Sequence, residues 1–94
     1  MVGVTSDERA FVAIHCPHSS GVEVRAFDLV GGAQLWRAVP HGIGSVGHSG
    51  YESDVAIALD GPHLRVWGVE SAGDFVSTLD RTTGHELSTI VARR

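Results

Sequence analysis

Three side chains able to ligate a metal stand close together at His15, Cys16 and His18, separated only by Pro17. Zinc sites draw on three or four converging nitrogen or sulfur ligands, as a rule from two separated pairs. His41 and His48 are available as a second pair. The first cluster suits that use poorly, because residues 10–16 read as a strand. His15 and Cys16 should then point to opposite faces of it. The structural reading makes Cys16 a small core residue and leaves the histidines at loop surfaces. No metal is expected, and His15, Cys16 and His18 are the residues that would hold one.

Residues 42–47 satisfy the pattern G-x-G-x-x-G. A dinucleotide site needs a strand before this pattern and a helix after it, so that the helix N-terminus meets the pyrophosphate. The next six residues are His48, Ser49, Gly50, Tyr51, Glu52 and Ser53, and they have no helical spacing. A connecting loop is the favoured reading, and no cofactor is expected. His48 and Ser49 beside Asp54 form the closest local nucleophile set. No serine sits in a G-x-S-x-G elbow, so nothing points to a hydrolase. Asp28 and Asp80 have the look of paired carboxylates, but they occupy equivalent positions in a repeat. Tyr51 and Trp67 are candidates for a recognition surface, since aromatic residues are enriched at interface hot spots.

That repeat is the most informative feature of the chain. Residues 26–36 and 78–88 carry one pattern 52 residues apart, aligning Asp28 with Asp80, Gly32 with Gly84 and Leu35 with Leu87. Internal repetition at such a period signals an array architecture. In each copy an aspartate opens a tight reversal and a glycine closes it. The carboxylate can accept from amides two or three residues on, and glycine takes positive φ without steric cost. Asp28, Gly32, Asp80 and Gly84 are therefore read as turn residues.

Short strands surround these turns. Residues 10–16, 22–29, 34–39, 54–59, 63–69, 75–79 and 86–92 are apolar or alternating runs stopped by Gly, Pro or Asp. Residues 2–5 form a further strand with a thinner signal. Asp60 and Gly61 mark a hairpin of their own. No apolar spacing at i, i+3, i+4 and i+7 runs for a helix length.

The eleven-residue pattern resembles the Ala-x-Asp-x-x-Thr-Gly-x-x-x-Trp motif of PQQ-like, quinoprotein-type β-propeller repeats. The first copy matches at Ala26, Asp28, Gly32 and Trp36, with Gly31 in place of Thr. The second matches at Asp80, Thr83 and Gly84, with Thr78 and Ser88 in place of Ala and Trp. WD-repeat propellers share the Asp-turn-Gly hairpin, and Val66, Trp67 and Gly68 resemble their Trp-Asp dipeptide with Gly for Asp. The resemblance implies that Trp36 packs between neighbouring blades and that the motif is structural. The family's quinone and calcium ligands have no counterpart that can be matched here, so no catalytic role carries over.

Size and charge bound the rest. The chain has 94 residues, a net charge of −4 and one cysteine. Nucleic acid is not expected as a partner, because there is no basic footprint. No apolar run approaches the roughly 20 residues that span a bilayer, and no signal peptide is evident, so a cytoplasmic location is expected. The fold expected is all-β: two antiparallel four-stranded, blade-like meanders, or alternatively a small β-sandwich. Residues 1–39 would form the first sheet, 40–53 a Gly- and His-rich loop, and 54–94 the second sheet. Propellers need four to eight blades to close a ring. About two blades predict a non-enzymatic module that assembles with copies of itself or with a larger partner protein, with Trp36, Trp67 and Tyr51 as interface candidates. The alternative is a small ligand- or metal-binding domain using the 40–53 loop and the 15–18 cluster.

Overall fold

Eight strands and no helix make up the described part of the chain, which in the computed structural model comprises residues 2–15, 21–43, 55–70 and 73–93. They are β1 (Val2–Ser6), β2 (Arg9–His15), β3 (Val22–Asp28), β4 (Gln34–Ala38), β5 (Val55–Asp60), β6 (His63–Glu70), β7 (Gly73–Asp80) and β8 (Glu86–Arg93). Strands β1 to β4 form one antiparallel sheet in chain order, and β5 to β8 form the second. Both are simple meanders, as expected from short runs joined by tight turns. The small sandwich is an equally good description, because the two sheets share one core.

Alternation along the strands decides which face of each sheet is buried. In the first sheet Phe11, Ala13, Val22, Val24, Ala26 and Trp36 point one way and are buried. In the second, Leu64, Val66, Phe75 and Leu79 do the same. These two sets form a single cluster, with Val2, Val4, Val55, Ile57, Leu59 and Val91 packed around it. Side-chain exclusion from water at this contact is the main driving force of the fold.

The repeat persists at the level of backbone detail. Both sheets carry a bulge on the fourth strand, opposite the step from Ala26 to Phe27 in one and from Thr78 to Leu79 in the other. In consequence Ala26 pairs Trp36, and Thr78 pairs Ser88. The bulged residues, Leu35 and Leu87, are both exposed. The first hairpins differ. Asp60 pairs His63 across Gly61 and Pro62, with φ of 58° at Gly61, as a Gly-first two-residue turn requires. Ser6 pairs Arg9 across Asp7 and Glu8, which take φ of 53° and 62° without a glycine.

Candidate interaction site

The third-to-fourth strand turns are built alike. The Asp28 amide donates to Ala33 O and the Gly32 amide to Asp28 O, at 2.8 and 2.7 Å. In the second sheet Asp80 N donates to His85 O and Gly84 N to Asp80 O, each at 2.8 Å. The aspartate side chains brace these turns. Asp28 Oδ1 accepts from Val30 N at 3.0 Å, and Asp80 Oδ1 accepts from the amides of Thr82 and Thr83 at 2.8 and 3.1 Å. The two amide bonds hold the Asp80 carboxyl below its ordinary range. Gly32 and Gly84 have φ of 78° and 79°, which puts both in the left-handed region.

Their surroundings are unlike. The Trp36 ring lies against Gly84, so close that a Cβ there would fall 2.5 Å from it. Trp36 Nε1 also donates to Arg81 O at 3.0 Å, so the indole is satisfied although only 9% exposed. The ring also meets Phe11, tilted, at a centroid distance of 6.1 Å. At Gly32 a Cβ would meet nothing within 4 Å. The position that corresponds to Trp36 in the second sheet is Ser88, which is exposed.

Polar contacts ring the Trp36 contact. Glu86 accepts from the His41 amide through both carboxylate oxygens at 3.2 Å, lies 2.8 Å from His41 Nδ1, and accepts from the Thr89 hydroxyl at 2.5 Å. Burial pushes the Glu86 carboxyl up, but these hydrogen bonds outweigh it and leave it below its ordinary value. Arg81 Nη2 reaches Asp7 Oδ2 at 3.0 Å. A groove of about 530 Å³ runs between Ala38, His41, Gly84, Glu86 and Ser88 along this seam.

Each sheet buries one face against the other, and among the described residues no strand packs on its second face. By strand alternation, that second face of the first sheet carries Ala10, Val12, Ile14 and Phe27, all half-buried. It also carries Glu23, whose side chain is 5% exposed and bound by Arg25 and Arg37. Burial raises the Glu23 carboxyl, and hydrogen bonds and charge from the two guanidinium groups more than reverse this, leaving it below its ordinary value. The second face of the second sheet exposes Trp67, Val69 and Ile90. There Trp67, Asp74, Val76, Ile90 and Ala92 line a groove of about 330 Å³.

Of the residues named from sequence, the structure joins Trp36 and Gly84 and sets Trp67 on the opposite, open face of the second sheet. His15 pairs Val22 through its backbone. Cys16, His18, His48 and Tyr51 lie outside the described residues, as does the loop from residue 44 to 54. Among the described residues no group of three or more His, Cys, Asp or Glu side chains converges for a metal, and no helix is long and apolar enough to cross a membrane. Sequence reasoning missed Glu23, Arg37, Arg81 and Glu86, and read His41 only as an available metal ligand, whereas it meets Glu86. Their only signal is charge placed on strands or beside a turn, and the pairs form across distant segments.

A scan against protein-family models finds none that matches the chain, and a search of the curated proteins finds no similar one.

Proposed function

We propose that the chain is a non-enzymatic interaction module of the β-propeller type, which assembles with copies of itself or with a larger partner. The observation that carries this reading is the way the sheets stack. Aligned at 52 residues, the buried face of β3 (Val22, Val24, Ala26) corresponds to the open face of β7 (Asp74, Val76, Thr78). The buried face of β7 (Phe75, Ser77, Leu79) likewise corresponds to the open face of β3. Unlike faces therefore meet, head to tail. Such a contact repeats until a ring closes or a partner ends it. A repeat array leaves its end faces apolar unless capped; here one end face carries half-buried Val12, Ile14 and Phe27 and the other exposed Trp67, Val69 and Ile90. The resemblance to PQQ-like repeats agrees with this stacking.

Light scattering coupled to size-exclusion chromatography, run over a range of concentrations, tests the reading. Oligomers, or a monomer whose open faces bind an apolar dye, are expected. A stable monomer that stays soluble when concentrated and binds no dye would overturn it.

A further inference from the structure

We infer that the open face of the first sheet is an acceptor for a third sheet of the same build, one whose last strand carries an indole where this chain has Trp36. This rests on the propeller-type reading and names the chemistry of its partner. The internal contact shows what an acceptor consists of: a glycine at positive φ under the ring, and a backbone carbonyl three residues earlier for the indole N–H. Gly32 and Leu29 reproduce both. Gly32 has the φ of Gly84, and the turn around it has the same backbone hydrogen bonds. Leu29 N donates to Glu8 O at 2.8 Å as Arg81 N donates to Pro62 O at 3.1 Å, which sets the two peptide units alike.

The surface around Gly32 is what an uncovered acceptor displays. Leu29 is 54% and Val30 76% exposed, and the glycine between them and β4 is open. The occupant differs from this chain's own sheets. A second copy stacked head to tail would bring Ser88, which has no ring to cover Gly32. The rim is different as well. Leu29 replaces Arg81 and Gln34 replaces Glu86, so the ion pairs to Asp7 and His41 have no equivalents at the open acceptor. The partner therefore presents an indole and has no counterpart of these two ion pairs beside the turn, while Glu23, Arg25 and Arg37 supply the charge on the rest of this face.

Installing the missing indole tests this on the chain itself. The variant Ser88→Trp should self-associate at least about tenfold more tightly than the unmodified chain, since a buried tryptophan is a common interface hot spot. Adding Gly32→Asn should return association to the starting level. Asparagine tolerates the left-handed conformation but places a side chain where the ring must lie. Val12→Glu, on the same face and opposite Arg25 in the β2–β3 register, is a second block that leaves the turn intact. The Ser88→Trp, Gly32→Asn chain should associate with itself no more tightly than the unmodified chain does, yet bind the unmodified chain, which keeps Gly32, more tightly than either binds itself. Circular dichroism and a cooperative melt establish that each variant folds. Association no tighter than that of the unmodified chain, or association that both blocks leave unchanged, would overturn the inference. The module reading would survive that result if the unmodified chain still bound apolar dye or oligomerised by another face, and would fall only with a dye-silent monomer.

Discussion

Trp36 is the residue on which the two sheets depend most. Its ring fills the space over Gly84 and against Phe11, and its N–H satisfies Arg81 O. Trp36→Ala should cost about 3–5 kcal/mol, the usual range for emptying a buried aromatic site. Trp36→Phe should keep much of the packing while losing a hydrogen bond worth about 1 kcal/mol. Urea denaturation monitored by circular dichroism reads both. Together with Asp80, whose carboxyl is also depressed, the glutamates Glu23 and Glu86 shape the acid response. Both carboxyls titrate below their ordinary value of 4.5 when folded. A group with a depressed folded pKa adds stability that is complete above its unfolded pKa. That stability is lost as pH falls through the folded value. Urea midpoints should therefore hold steady above about pH 5 and decline below it. Glu23→Gln should flatten that decline; an unchanged slope would show that Glu23 does not contribute to it.

Turns carry the predictions that belong to single elements. Glu8 holds φ of 62° with a full side chain, in a hairpin position that favours glycine. Glu8→Gly should relieve about 1 kcal/mol of left-handed strain, raising the melting temperature by about 4–8 °C for a domain of this size. The two aspartate turns are not equal. Asp80 accepts two amides through its side chain where Asp28 accepts one. Asp80→Ala should lower the melting temperature more than Asp28→Ala, and the reverse order would contradict this account of the turns. At this scale much was legible. Val22, Val24 and Ala26 alternate against Glu23, Arg25 and Phe27, and the alternation marks their buried face in the structure. The hairpin at Asp60 and Gly61 was equally readable. The turn at Asp7 and Glu8 was not, because neither residue type announces positive φ.

For the whole molecule, stability resides in the contact between sheets. Leu64, Val66, Phe75 and Leu79 are buried by the first sheet as well as by their own strands. A single four-stranded sheet would expose that row to water, at roughly 1.5–3 kcal/mol per large side chain. Residues 54–94 expressed alone should accordingly lack a cooperative melt, whereas the full chain should have one. The candidate site was half legible. Trp36, Gly84 and the repeat could be read directly, but which glycine the indole covers could not, since Gly32 and Gly84 have the same sequence setting. Only stacking separates them, leaving one glycine covered and the other open. Glu23 was missed for a related reason: Arg37 reaches it from the next strand, and no local spacing encodes that.

By itself the sequence determined the strands, the two aspartate–glycine turns and the duplication, because period-two alternation and turn chemistry are local properties. Tertiary structure alone decided that unlike faces meet, that Trp36 lies on Gly84 and not Gly32, and that Glu86 holds His41. Those facts arise from how two rigid sheets fit together, and close packing across a contact is a property of the pair rather than of either segment.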